Sequence, residues 1–368
     1  MKTTPFYFSE VKYGATMTTE GWLVPTKFKG NEIEHTAIRE RVGVCDFSGM
    51  GEIDVKGKDA RRFLDEHCVN DVANLKPGRI VYTSFLDEEG VMIDDTTIYC
   101  HNEEHFWIIT SAPRRNELVA WLEERSHNYG DAKTTDISSA IGLLAVQGPK
   151  SREMLSTIVE DSLDKISYYG FMWSKVSGIP ALVSRTGFTG ELGYELLVNS
   201  EDANHLWEVL AKAGEPYGLE FCGTITTVGS IPVEKGYITI KEYGNKKTPL
   251  EVGLGWSIKW NKPFFVGKEK LLEKKEQGFA SKLIGYILED TEVRVPLGSE
   301  VYVDGKKVGN VSSAAYGLTL KKNLGQCFVE TPLAKVGQAV SIRIDGKDYA
   351  ATLANKGFYD PKGEKLRS

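Results

Sequence analysis

Two acidic positions sit inside apolar, strand-like runs, where an ionised side chain is costly unless it has partners or a task. In VMIDDTTIYC, residues 91–100, strand alternation puts Ile93, Asp95, Thr97 and Tyr99 on one face and Asp94 with Met92 and Ile98 on the other. One of the two acids therefore points into apolar company whichever face is the core. A salt-bridged or turn-flanking pair at a strand end is one reading. The other is a carboxylate in a dry pocket that orients a substrate nitrogen or exchanges a proton with it. Glu195 lies in GYELLV between Tyr194 and Leu196, and a carboxylate there needs donors. It is either a paired structural acid or a bidentate acceptor for a flat heterocycle bearing adjacent N–H groups, such as a pterin.

Other motifs fail on context. Gly187, Gly190 and Gly193 in SRTGFTGELGYEL imitate a phosphate-cradling loop, but no Gly-Lys-Ser/Thr follows and the run lies between strands. Tight turns explain these glycines better. Ser48 in DFSGMGE lacks the strand-Ser-helix setting of a nucleophile elbow. EVGLGW lacks the third glycine and the following helix of a dinucleotide site. The five cysteines (Cys45, Cys68, Cys100, Cys222, Cys327) have neither metal-ligand nor redox spacing, and the six histidines are scattered, so reduced thiols and no metal are expected.

The elements that would carry the two acids follow from periodicity. EHTAIRERV reads as a short helix and CDFSGMGEIDVKG as the strand after it. KDARRFLDEHC repeats apolar residues at helical spacing, and RIVYTSFL with VMIDDTTIYC reads as a hairpin around DEEG. EHFWIITS is a third strand, and PRRNELVAWLEERSHN a helix opened by Pro113. Together, residues 51–130 form a compact α+β unit. IGLLAVQ then turns into a helix, ALVSRT and GYELLV form a second hairpin, and SEDANHLWEVLAKAG is a helix that Ser200 or Asp202 could cap. KEYGNKK, 241–247, reads as a loop. From about Ser281 short strands with Asp-Gly turns indicate a small all-β barrel or sandwich.

At 368 residues, two or three domains are expected. Hydrophobic content of 41% and charged content of 26% are those of a soluble globular protein. A net charge of −6 provides no footprint for nucleic acid or an anionic membrane. No apolar stretch approaches the ~20 residues needed to span a bilayer. MKTTPFYFSEVKYG is neither a secretory signal nor an Arg-rich transit peptide, so a cytoplasmic protein is expected.

Read in order, TPFY, EGWLVP, VCDFSGMGEIDVKG, FLDEHCVNDVANLKPGRIVYTSFLDEEGVMIDD, LLAVQGPKS, ALVSRTGFTGELGYEL and PLEVGLGWSIKWNKPFFVGKE resemble the glycine-cleavage T-protein family over essentially the whole chain. The resemblance implies an α+β fold, a three-domain cloverleaf around a central folate cavity. Its first, folate-binding domain is discontinuous (1–50 and 131–250). A ferredoxin-like domain (51–130) is inserted in it, and a linker (251–280) leads to a C-terminal β-barrel (281–368). It also implies that Asp95 is catalytic, that Glu195 binds the pterin, and that Tyr82, Met50 and Tyr168 line the cavity. Phe188 stands where the family usually has tyrosine. Tetrahydrofolate is the implied cosubstrate, with no metal. The implied reaction takes an aminomethyl group from the lipoyl arm of a carrier protein, releases ammonia and leaves methylene-tetrahydrofolate. Related members are demethylases that move a methyl group from nitrogen, sulfur or oxygen of a small donor to the same acceptor. A non-catalytic folate-binding branch of the iron–sulfur assembly type carries Lys-Gly-Cys-Tyr, whereas VEKGYITIKEYG here has no cysteine.

Two departures stand out. Gly49 replaces the usual histidine of Asp-Val-Ser-His-Met-Gly-Glu. CGTITTVGSIPVEKGY replaces Gly-Ala-Arg-Asp-x-x-Arg-x-Glu-Ala: Glu234 survives, both arginines are gone, and Pro232 stands near the second. Their loss is expected to weaken the grip on an anionic group or to admit a different substrate.

Overall fold

In Ile141–Gln147 and Gly193–Asn199 nearly every residue is buried, because both faces of the sheet they share are covered. The computed structural model, which describes residues 2–368, orders that sheet as Phe171–Val176, Ile179–Ser184, Gly193–Asn199, Ile141–Gln147, Val42–Asp46 and Leu219–Cys222. On one face Leu144, Val146, Tyr194, Leu196 and Val198 pack against Leu206, Trp207 and Leu210 of helix Ala203–Gly214. A 3-10 turn, Ser200–Asp202, leads into that helix, and Asp202 makes no side-chain capping bond, contrary to expectation.

The second sheet is antiparallel, ordered Lys133–Asp136, Gly51–Lys56, His105–Thr110, Met92–Asn102, Ile80–Leu86. With helices Ala60–His67 and Arg115–Ser126 it is a βαββαβ ferredoxin-like unit carrying one extra edge strand, Ile80–Leu86. Phe63, Leu64, Leu118 and Leu122 of the helices cover one face. The other face, through Ile80, Tyr99, Trp107 and Ile109, packs on Leu143, Leu182 and Leu197 of the first sheet. Two sheets therefore meet face to face, and the end of that interface is where the acids emerge.

The C-terminal strands close into a six-stranded barrel. Asp304-Gly305 (φ 47° and 76°) and Asp345-Gly346 (φ 50° and 80°) turn two of its hairpins with the paired positive φ of a type I′ turn. Closure removes the exposed edges a sandwich would keep. The segment before the barrel is fastened to the inserted unit: Lys262 Nζ donates to the carbonyls of Cys68 (2.8 Å) and Asn70 (2.7 Å), and Phe265 and Leu271 are buried with Val69, Leu86 and Met92. Within the stretch expected to be a loop, Ile240–Tyr243 is a short helix, because Thr239 and Glu242 form a capping box. No helix of the described residues is long and apolar enough to cross a membrane.

Candidate active site

A β-bulge decides how the Asp94-Asp95 pair is presented. Phe85 pairs with Asp94 and Leu86 with Met92, which leaves Ile93 without a partner. Ile93 consequently joins Ile98 and Cys100 in the helix-covered core, while Tyr99 faces the first sheet. The simple alternation expected for Ile93 and Asp95 fails at this point, and the bulge separates them.

Asp94 is fully buried and saturated with donors: Ser111 N (2.9 Å), Ser111 Oγ (2.7 Å), Tyr243 OH (2.8 Å) and Thr110 Oγ1. Burial pushes its carboxyl up, and these four donors oppose the rise by favouring the ionised form. Asp95 is half-buried, and only its Oδ2 is fixed, by Tyr82 OH at 2.6 Å. Burial and the neighbouring Asp94 charge raise Asp95 to about 7, against the pull of Tyr82 and Tyr243. The two neighbouring carboxyls thus differ in surroundings: Asp94 is met by four donors, whereas Asp95 has one and is pushed toward neutrality. A step that needs ionised Asp95 should accelerate with rising pH through about 7; single-turnover rates between about pH 5 and pH 9 read this, and a flat profile would contradict the role.

Glu195 projects from Gly193–Asn199 on the same face as Leu197, toward the inserted sheet. Its Oε2 accepts from Thr186 Oγ1, Tyr99 OH (3.3 Å) and Ser184 Oγ (3.5 Å). Burial pushes its carboxyl up and those hydroxyls pull it down. Tyr99 belongs to the strand of Asp95, four residues on, so about 13 Å of strand separates the Cα atoms of Asp95 and of the tyrosine that touches Glu195. Each acid has one oxygen tied to the protein and one free for a ligand.

The other expected site residues surround this span. Tyr82 stacks on Trp256 (5.6 Å, 15°), whose other side faces solvent. Met50 packs in the interface with Tyr99 and Tyr169. Tyr168 meets Tyr169 edge-on (4.8 Å, 80°), and Phe188 stacks on Tyr237 (5.3 Å, 26°). Tyr169 holds φ 58°, a strained value for a bulky residue, and its backbone ties Ile80 of the inserted sheet to Arg185 of the first domain. Sequence reasoning missed Tyr99, Tyr169, Tyr237, Tyr243, Thr186 and Trp256. Tyr99 alone had a signal, its shared strand face with Asp95.

The family model described as "GCVT N-terminal domain" matches residues 6–262, and "Glycine cleavage T-protein C-terminal barrel domain" matches 282–360. The chain belongs to the glycine cleavage T-protein family. An aminomethyltransferase of Caldanaerobacter subterraneus subsp. tengcongensis is 34% identical over 368 residues, 99% of this chain and 98% of the relative. One of Bacillus mycoides is 38% identical over 367 residues, 98% of each. The crystal structure of glycine cleavage system aminomethyltransferase T from Bartonella henselae has a TM-score of 0.90 at 25% identity, over 98% of both chains.

In this T-protein-family chain the segment without arginines is not left unpaired. It forms an irregular wide helical turn, Ile225–Ser230, followed by helix Ile231–Lys235. Glu234 is fully buried and engages Arg39 Nη2 (3.0 Å), His35 Nε2 (3.3 Å) and the backbone N–H of Thr319 (2.9 Å). Burial alone would raise Glu234, but His35 and Arg39 outweigh it and bring it to about 2. Arg39 also donates to Thr189 O (2.9 Å), pairs with Glu191 (3.1 Å) and lies over the Tyr359 ring (4.0 Å). The cation that holds this glutamate comes from helix Asn31–Glu40, far away in sequence.

Proposed function

We propose that the chain is a folate-dependent one-carbon transferase that moves an aminomethyl carbon from a lipoyl carrier protein to tetrahydrofolate. The observation that carries the reading is the pair of half-buried acids, Asp95 and Glu195, on facing sheets within an aromatic surround, each with one carboxylate oxygen free. Family membership and the aminomethyltransferase relatives support it.

Tetrahydrofolate supplies the ring nitrogens that accept the carbon. Glu195, its Oε2 held by Thr186, Tyr99 and Ser184, offers Oε1 to the N–H groups of the pterin. Tyr82, Met50, Tyr168 and Phe188 supply apolar and aromatic walls that exclude water. Asp95 faces the reacting nitrogen, holding or releasing a proton there as ammonia leaves, with Tyr82 fixing its orientation.

Glu195→Ala should weaken tetrahydrofolate binding by about ten-fold or more, the scale of a lost charge-assisted hydrogen bond. Titration of both proteins with tetrahydrofolate, read as a rise in thermal midpoint, measures this. Equal midpoint shifts would return Glu195 to the structural acids, and no shift in the parent protein would remove folate from the account. One observation favours a second reading, a tetrahydrofolate-dependent demethylase of a small N-, S- or O-methyl compound: residues 222–237 carry no arginine, so the site has lost an anion clamp the family uses.

A further inference from the structure

The helix Ile240–Tyr243 is tightly fastened for its four residues. Thr239 Oγ1 accepts from Lys241 N (3.3 Å), and Glu242 Oε2 accepts from Thr239 N (2.8 Å). A Cβ at Gly244 would lie 2.6 Å from Ile240 O, so a glycine closes the turn. The barrel holds the segment on either side of the helix. Before it, Gln326 Nε2 donates to Tyr237 O (2.8 Å); after it, Lys247 lies over the Phe328 ring (4.6 Å). Lys247 O also accepts from Met92 N (2.9 Å), which stitches the segment to the start of the strand carrying the two aspartates.

This framework delivers one side chain to the acid pair. Tyr243 is fully buried, and its hydroxyl donates to Asp94 Oδ1 (2.8 Å) and lies 3.2 Å from Ser111 Oγ. The other donors to the two carboxyls are Tyr82 of strand Ile80–Leu86 and Thr110 with Ser111 at the end of strand His105–Thr110. Among the described residues, Tyr243 is therefore the one donor to either acid that comes from outside the inserted unit. It is also near enough to Asp95 to favour the ionised carboxylate there. Burial and the charges of Asp95 and Asp94 raise the phenol itself, so it stays a proton donor at any working pH.

We propose that Tyr243 is a positioning residue for the carbon transfer, through which the connecting segment and the barrel fix Asp94 and let the reacting acid, Asp95, give up its proton. The inference rests on the folate reading above. Two adjacent carboxylates repel each other, and a donor that serves both favours the state in which both are ionised. Its loss therefore moves the upper titration of the pair upward, whichever acid carries it.

The test compares the full-length parent with Tyr243→Phe, which keeps the ring in its apolar surround, and with Thr239→Ala, which keeps the phenol but removes the cap. Carboxyl NMR of aspartate-labelled protein, with Asp95→Asn to assign the signal, follows the pair without any ligand. The parent's upper midpoint, about 7, should rise by about one pH unit in Tyr243→Phe, the effect of one lost charge-assisted hydrogen bond, and by less in Thr239→Ala. Single-turnover transfer by Tyr243→Phe should fall about ten-fold at about pH 6 and return toward the parent's rate by about pH 9, with tetrahydrofolate affinity within about two-fold. An unmoved midpoint in Tyr243→Phe, or a rate lowered equally at every pH, would overturn the role while leaving the folate reading in place. Should Tyr243→Phe fail to fold, a Thr239→Ala midpoint equal to the parent's would overturn it. A parent that titrates as expected but transfers no carbon to tetrahydrofolate would overturn the folate reading and this role together.

Discussion

Asp95→Asn should lower single-turnover carbon transfer by about 100- to 10,000-fold, the range of a positioned acid–base group, while tetrahydrofolate affinity stays within a few fold. The substitution is nearly isosteric. Tyr82 OH, 2.6 Å from Oδ2, keeps an oxygen to donate to, so the site's geometry survives. What is lost is the ability to carry a proton near neutrality, which burial and the charge of Asp94 confer. Stability separates this loss from simple unfolding. Because the folded-state value of Asp95, about 7, lies above that of an unfolded chain, its ionisation weakens the fold as pH rises between the two. An uncharged Asn escapes that penalty, so at alkaline pH the variant's thermal midpoint should match or exceed the parent's. A variant that is inactive and destabilised would not support the assignment, and an active variant would end it.

Glu234→Ala should destabilise the fold by about 3 kcal/mol, the scale of a buried ion pair broken from one side. Arg39 would remain buried beneath Tyr359, with Glu191 at 3.1 Å as its remaining carboxylate. The backbone N–H of Thr319, on the barrel, would also lose its acceptor. The loss therefore falls where helix Asn31–Glu40, the loop at Thr189, helix Ile231–Lys235 and the barrel meet. Urea unfolding at neutral pH measures it, and a change below about 1 kcal/mol would make the network incidental. Since His35 and Arg39 hold Glu234 at about 2, its contribution is complete above the ordinary carboxylate range and fades as pH falls through that range toward 2. The parent should lose this increment in acid, and the Ala variant should not.

Local chemistry made much of the fold legible. The Asp-Gly turns at 304–305 and 345–346 need positive φ at both residues, and they mark the barrel hairpins. In GYELLV Glu195 shares a face with Leu197, away from Tyr194 and Leu196, because that strand is regular over its whole length. The same argument breaks at Ile93, where one unpaired residue reverses the faces and no residue type announces the bulge. The helix at Ile240–Tyr243 is hidden in a charged stretch because a single capping box starts it. Arg39 and Tyr243 were illegible for another reason. Each acts on a residue more than a hundred positions away, Arg39 on Glu234 and Tyr243 on Asp94, and pairing over such distances leaves no trace in spacing.

The role proposed for Asp95 is to serve transfer of one carbon onto tetrahydrofolate. The most direct measurement offers the protein tetrahydrofolate and a panel of donors, including the aminomethyl form of a lipoyl carrier protein, methylated amines, sulfonium compounds and aryl methyl ethers, with the folate product weighed by mass spectrometry. Methylene-tetrahydrofolate together with ammonia is expected from the lipoyl donor, and neither with Asp95→Asn. Unmodified tetrahydrofolate with every donor, or equal product from the Asn variant, would contradict it.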